Sequence, residues 1–334
     1  MKPTVAVTMG DAAGIGPEVL VAACAHPEVS AACLPVAVAD VRVLQRAAAL
    51  VPAAGELRVV GRLEDVRRQA GVLHCLHADL FAGGALPPFG TVSADSGRAA
   101  RACVERAVSL AMSGAVHAVC TAPLHKEALR ASGAPFAGHT ELLAAVTGAP
   151  SVAMMLTAPG LRVAHVTTHV GLAEAAAAIE ARRVLEVLRL GDAFLRRAGL
   201  AVPRIGVCGL NPHAGEHGLF GHGEEEAAIA PAVAAARGEG IAAQGPLPAD
   251  TLFVRAVRGA FDLVVAMYHD QGHIPAKLLG FESGVNVTLG LPIVRTSPDH
   301  GTAFDIAGTG AADPGGMRSA ILAAAAYGGQ SRQR

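Results

Sequence analysis

Tryptophan is absent from this chain, and aromatic residues make up only 3% of its 334 positions. Proteins that hold single-stranded nucleic acid stack bases on aromatic platforms and follow the backbone with cations. This chain lacks the platforms. With a net charge of −1 and no basic stripe it also lacks the cationic track, so a nucleic-acid partner is not expected. Charged residues are scarce at 16%, against 52% hydrophobic. No apolar run reaches the length of a membrane span, however, because Gly, Pro, Arg or Asp interrupts every stretch, and a membrane partner is not expected either. Much of the apolarity is alanine, which suits close helix packing. A large apolar subunit interface would account for more of it and predicts an oligomer. The six cysteines, Cys24, Cys33, Cys75, Cys103, Cys120 and Cys208, form no C-x-x-C and no zinc-finger spacing. They read as reduced, mostly buried thiols in a cytoplasmic protein. The chain passes from Met1-Lys-Pro straight into a strand without a signal peptide, in keeping with that location.

What is present is alternation. Strand-like runs cover Thr4–Thr8, Leu34–Ala39, Glu56–Val60, Ala115–Thr121, Leu161–Thr168, Arg204–Leu210 and Phe261–Tyr268. Helical runs cover Gly16–Ala25, Val41–Leu50, Ser96–Met112, Glu141–Val146, Glu174–Ala198, Glu224–Ala236 and Gly316–Tyr327. This βα order predicts an α/β protein with a mainly parallel sheet and helices on both faces. Gly83–Gly90 reads as an exposed loop and Gly328–Arg334 as a frayed tail.

Three histidines follow strand-like runs: His169 after Leu161–Thr168, His213 after Arg204–Leu210 and the Asn211-Pro212 turn, and His269 after Phe261–Tyr268. Ligands of open α/β sheets bind beyond the carboxyl ends of the strands. Three imidazoles delivered to that edge could share one divalent metal and leave a position open for a substrate oxygen. Any one of them alone is more often a hydrogen-bonded structural histidine; their common placement favours the metal.

Other segments also carry chemistry. Gly10-Asp11-Ala-Ala-Gly14-Ile-Gly16-Pro17-Glu18 follows the first strand, but its G-x-x-x-G-x-G spacing is not the dinucleotide fingerprint G-x-G-x-x-G. Asp40 imitates the ribose-binding acid from too far along the chain. Gly138-His139-Thr140-Glu141 opens a helix, where backbone amides favour an anion; Thr140 could equally be a plain N-cap. Lys277, Asn286 and Arg295 follow His269 at spacings of 8, 17 and 26 in an otherwise apolar stretch. Arg295 could grip a carboxylate or phosphate bidentately, and Lys277 offers a point charge or a proton-transfer group. His300–Pro314 is long, Gly-rich and without periodicity, suited either to wrapping a nucleotide with backbone groups or to serving as a connection.

At these segments the chain resembles the 4-hydroxythreonine-4-phosphate dehydrogenase (PdxA) family, of isocitrate/isopropylmalate dehydrogenase-like fold. The resemblance runs from Val5 to about Met317. It rests on Met9-Gly-Asp…Gly-Ile-Gly-Pro-Glu18, Thr121-Ala-Pro…Lys126, Gly138-His-Thr-Glu-Leu-Leu143, Asn211-Pro-His-Ala-Gly-Glu216, Tyr268-His-Asp-Gln-Gly272 and Arg295-Thr-Ser…His300-Gly-Thr-Ala. It departs from the commonest pattern at Ala12, often Pro, and His125, often Asn.

The resemblance implies two α/β/α lobes with a cleft between them. The first is expected over residues 1–130 plus 290–334 and carries the nucleotide loop; the second, over 131–289, carries metal and substrate residues. By position, His169, His213 and His269 match the family's metal ligands, and His139, Thr140, Lys277, Asn286 and Arg295 its substrate-binding residues. His300, Gly301, Thr302, Asp305 and Asp313 fall in a loop that looks like the nucleotide loop of isopropylmalate dehydrogenases. A homodimer with the site at the subunit interface is implied, so the three histidines need not all come from one chain.

The chemistry implied is oxidation of a secondary alcohol in a small phosphorylated acid by NAD, followed by decarboxylation of the β-keto acid. One divalent metal per subunit would lower the pKa of the substrate hydroxyl. Zinc, cobalt, nickel or manganese is expected over magnesium, which prefers oxygen ligands. Lys277, Asp270 and a metal-bound water are the candidate bases.

Gly218-Leu-Phe-Gly221 and Gly272-His-Ile-Pro275 resemble a branch that oxidises D-threonate or D-erythronate 4-phosphate. A branch acting on aromatic dihydrodiols shares these segments but loses the His-Thr-Glu signature, which is intact here at His139-Thr140-Glu141. Against these stand the 4-hydroxythreonine-4-phosphate dehydrogenase of pyridoxal phosphate biosynthesis, a metallohydrolase using the same histidines, and a catalytically dead binding protein.

Overall fold

The computed structural model describes residues 2–52, 54–69 and 71–331. Its strands, numbered along the chain, are β1 (Thr4–Thr8), β2 (Leu34–Ala39), β3 (Glu56–Val60), β4 (Val72–His77), β5 (Ala118–Thr121), β6 (Ala153–Ala158), β7 (Leu161–His165), β8 (Arg204–Cys208), β9 (Ala242–Leu247), β10 (Leu263–Ala266), β11 (Val285–Leu289) and β12 (Arg295–Pro298). Packing divides the chain into two units, Met1–Pro150 with Leu291–Arg334, and Ser151–Gly290.

In the first unit the strands run in the order β3-β4-β2-β1-β5-β12, and every pair is parallel. The central strands read Val5-Ala-Val-Thr8 and Pro35-Val-Ala-Val-Ala39 and are buried throughout. That is the expected sequence of strands covered on both faces. The helix Ala94–Met112 turns Ala99, Ala100, Cys103, Val104, Ala107 and Val108 inward. Its small side chains allow close approach: a Cβ on Gly97 would collide with the backbone of Ala128. The helix opens on Ser93, whose Oγ accepts from the amide of Ser96 at 3.1 Å, a cap worth about 1 kcal/mol.

The second unit orders its strands β11-β6-β7-β10-β8-β9. The pairings β7-β10, β10-β8 and β8-β9 are parallel, as expected of a mainly parallel sheet, but β6 pairs antiparallel with both β7 and β11. Pro159-Gly160 is the two-residue turn between β6 and β7, and Gly160 adopts φ +74°. The unit's core gathers Leu156, Val163, Leu252, Phe253, Phe261 and Val264. Each such side chain, fully buried, contributes about 1.5–3 kcal/mol.

Several expected elements change length. The single helix read over Glu174–Ala198 is two, Leu172–Ala177 and Ala181–Arg197. The helix read over Glu224–Ala236 opens as a π-helical turn, Glu225–Ile229, before α-helix Ala230–Gly238. The last helix spans Gly315–Ser331, so the tail expected to fray is helical through Ser331. Residues 332–334 lie outside the described residues. No helix among the described residues is long and apolar enough to cross a membrane.

Candidate active site

In the first unit, Arg295 begins β12 and is only 3% exposed. Its Nε and Nη2 donate to Thr121 Oγ1, at the end of β5, at 3.1 and 2.6 Å. Burial lowers the guanidinium pKa to about 10, still high enough to keep it charged at neutral pH. His139 is the first residue of helix His139–Thr147, behind the N-cap Gly138, with Thr140 next along the helix. Burial, and then the Arg295 cation, hold the His139 imidazole well below its ordinary pKa. Its buried Nε2 has no hydrogen-bond partner among the described residues. A neutral imidazole, a threonine, a helix start and a buried cation thus collect in one unit, a donor set suited to an oxyanion.

The loop from His300 to Pro314 belongs to the same unit. His300, Gly301, Thr302 and Asp305 lie along it in turn and coil conformation, and Asp313 Oδ1 accepts the amide of Gly315 at 2.8 Å. Phe304 of this loop stacks on His125, ring centroids 4.5 Å apart. Asp40 caps helix Val41–Ala48 and accepts from Arg42 Nε and Nη2 and the amides of Arg42 and Leu80. Burial works to raise its pKa, but these bonds outweigh it and the net shift is downward. Both carboxylate oxygens are therefore engaged within the protein, in keeping with the failed dinucleotide fingerprint.

The second unit holds the histidines. β7 ends at His165, not at His169, which lies four residues beyond it in the approach to helix Leu172–Ala177. Helix His269–Gly280, not anticipated from sequence, starts on His269 itself. The rings of His169 and His269 are 5.9 Å apart between centroids. Both line a cavity of about 460 Å³ together with Thr168, Glu174, Tyr268 and Asp270. His269 Nδ1 donates to Asp270 Oδ1 at 2.7 Å, which leaves Nε2 as the lone-pair nitrogen.

Behind His269, His273 stacks ring on ring at 3.7 Å. His273 Nδ1 lies 3.1 Å from His165 Nε2 and 3.2 Å from the carbonyl of His269. Both of those atoms can accept, so a proton on Nδ1 is shared between them. Burial, then the neighbouring His273, pushes the His165 pKa down to about 3, so His165 is neutral. In the sequence, the i, i+4 spacing of His269 and His273 is the one local signal of this stack, and nothing local links His165 to His273.

His213 stands apart from this group. It opens a run, His213–His217, in which all five residues have positive φ, between 42° and 78°. Four of them are not glycine, a costly left-handed turn that needs external support. Glu225 fixes the segment that leads into it, accepting from the amides of Leu210 and Asn211 at 2.8 and 2.7 Å and from Asn211 Nδ2 at 2.9 Å. Imidazoles suit a borderline divalent ion. Among the described residues, however, no three His, Cys, Asp or Glu side chains are placed to hold one. His169 and His269 lie together as candidate donors, and among the described residues His213 does not complete a group of three with them. Lys277 lies on the exposed side of helix His269–Gly280, its Nζ 5.8 Å from the Phe281 ring, and Asn286 lies on β11, paired with Leu156.

The model of the pyridoxal phosphate biosynthetic protein PdxA family matches residues 31–324. The D-threonate 4-phosphate dehydrogenase of Cupriavidus necator is 56% identical over 319 residues, 96% of this chain and 95% of the relative. The 4-hydroxythreonine-4-phosphate dehydrogenase of Beijerinckia indica is 48% identical over 317 residues, 95% of this chain and 92% of the relative. The crystal structure of a 4-hydroxythreonine-4-phosphate dehydrogenase from Burkholderia phymatum superposes with a TM-score of 0.89 at 52% identity, covering 98% of each chain. This chain is thus an α/β member of the PdxA family of dehydrogenases.

Proposed function

We propose that the protein oxidises the 3-hydroxyl of a four-carbon, 4-phosphorylated acid, D-threonate or D-erythronate 4-phosphate, with NAD and a divalent metal, and that the β-keto acid then loses CO2. The observation that carries this reading is the pair His169 and His269 at the wall of one cavity, with His269 oriented by Asp270. His213 would be the third ligand. In a homodimer with the site at the interface, ligands can be drawn from two chains. A helical face of Ile274, Lys277, Leu278 and Phe281, at i, i+3, i+4 and i+7, supports that assembly. Leu278 is 82% and Phe281 78% exposed, unusual for apolar side chains this large unless a partner covers them.

When bound, the ion supplies Lewis-acid polarisation of the substrate oxygens. The chain's own residues do the rest. Arg295, His139 and Thr140 hold the anionic ends and Asn286 assists, and Lys277, Asp270 and a metal-bound water are the candidate bases for the hydroxyl proton. Asp270 orients His269 through its hydrogen bond. The nucleotide is assigned to His300, Gly301, Thr302, Asp305 and Asp313. The segment 300–314 contains no Lys or Arg, so a 2′-phosphate would lack a cationic partner there and NAD is preferred over NADP.

The 2-hydroxy acid is favoured by the 56% identity to a D-threonate 4-phosphate dehydrogenase. The 48% identity to a 4-hydroxythreonine-4-phosphate dehydrogenase keeps the 2-amino acid as the second reading. The test is NADH formation from 4-phosphothreonate, 4-phosphoerythronate and 4-phosphohydroxythreonine, with and without chelator. Turnover should require metal, and kcat/KM should be highest for a hydroxy acid. Full activity in a metal-free preparation would overturn the metal assignment, and a clear preference for the amino acid would establish the second reading.

A further inference from the structure

The segment Gly10–Glu18 has the wrong spacing to bind a dinucleotide, and the reading above gives it no task. We propose that it is the seat of the nucleotide loop, with Glu18 as the positioning residue; this rests on the assignment of NAD to the loop His300–Pro314. Glu18 is 1% exposed in helix Gly16–Ala25. Its two carboxylate oxygens are divided between two loop amides: Oε1 accepts from Gly308 at 2.7 Å and Oε2 from Gly310 at 2.9 Å. One rigid carboxylate therefore sets the backbone of both glycines, which lie at φ +84° and +72°.

The rest of the segment makes complementary contacts. The Ile15 amide donates to the Thr302 carbonyl at 3.0 Å. Gly14 lies so close under the loop that a Cβ there would meet the Thr302 carbonyl oxygen at 2.9 Å and its Cβ at 3.0 Å. The Ala13 carbonyl accepts from the Gly90 amide at 2.8 Å, and Gly90 in turn lies against the carbonyl of Phe304. Arg46 locks the underside, donating to the carbonyls of Ala12 and Pro87 at 2.6 and 2.7 Å with its guanidinium 4.1 Å from the Phe89 ring. Phe89 occupies the space a Cβ on Gly308 would need. A loop without periodic structure is thus fixed at Thr302, Gly308 and Gly310, and its remaining backbone groups are held in place for a ligand.

In Glu18→Gln the side chain keeps its size, but its amide NH2 cannot accept from an N–H, so one loop amide loses its acceptor. Gly14→Ala disturbs the same seat from the opposite side. For both variants we expect calorimetry to show the Kd for NAD raised at least tenfold and hydrogen exchange at amides 306–311 to speed up. The KM for the phosphorylated acid and the affinity for metal should stay within about twofold of wild type. A merely structural role would raise the Kd for NAD and the KM for the acid and weaken metal binding together, with a lower melting temperature. If wild type binds NAD and both variants bind it equally well, the proposal is overturned while the cofactor reading stands. If wild type itself shows no saturable NAD binding, the cofactor assignment fails and the proposal with it.

Discussion

At the scale of residues, burial decides what each ionisable group can do. Arg295 stays charged inside the protein because its pKa falls only to about 10, and its fork is oriented by Thr121. A lysine keeps the charge but loses the planar two-pronged geometry. Arg295→Lys should raise KM for the phosphorylated acid at least tenfold, about 1.4 kcal/mol, with a smaller change in kcat; an unchanged KM in steady-state kinetics would remove Arg295 from the anion site. His139 behaves in the opposite way, because burial favours its neutral form. The unfolded chain takes up a proton near pH 6.5 that the folded one resists. The stability this group contributes is full above about pH 6.5 and is lost as pH falls below it. Melting temperatures followed from pH 7.5 to 5.5 should therefore drop more steeply for wild type than for His139→Gln, and parallel curves would show that His139 is not held neutral.

At the scale of elements, close approach of backbone to side chain is what assembles the histidine cluster. Helix His269–Gly280 lies against β7 through Gly272. A Cβ there would strike His165 Nε2 and come within 2.7 Å of Val163 Cγ1. Gly272→Ala should push the helix start away from β7, separating His273 from His165 and shifting His269. A loss of about 1–3 kcal/mol is expected from such overpacking, read by denaturant unfolding, together with weaker metal binding. A variant as stable as wild type would mean that the helix moves freely and that the cluster is not tightly specified. The left-handed run His213–His217 is the other element under constraint. The segment leading into it, Leu210-Asn211, is fixed by Glu225 from a π-helical turn, a feature found often at functional sites.

At the scale of the whole molecule, the exposed apolar face of helix His269–Gly280 is the feature that a single chain leaves unexplained. Covering it with a second copy would bury Ile274, Leu278 and Phe281 and bring the Lys277 side into the interface. Wild type is expected to sediment as a dimer and a double variant, Leu278→Glu with Phe281→Glu, as a monomer. The variant should also lose metal affinity if the ligand set is completed across that interface. A dimer that persists in the double variant would place the contact elsewhere.

Much of this was legible in the sequence, because the signals are local. The alternation of apolar strands and amphipathic helices follows from residue periodicity alone, and the short motifs around His139, His213, His269, Arg295 and His300 identify the family. The antiparallel hairpin of β6 and β7 was not legible: Ala153–Ala158 lacks the alternation of apolar and polar residues that marks a strand, and the run Leu161–Thr168 conceals the end of β7 at His165. Helix His269–Gly280 was hidden by Pro275 within it, which reads as a helix breaker. The grouping of His165, His169, His269 and His273, and the reach of Glu18 across 290 residues to the Gly308 amide, belong to tertiary structure alone. Sequence spacing carries information on faces and turns a few residues apart, whereas these contacts are made by strands and loops brought together by packing.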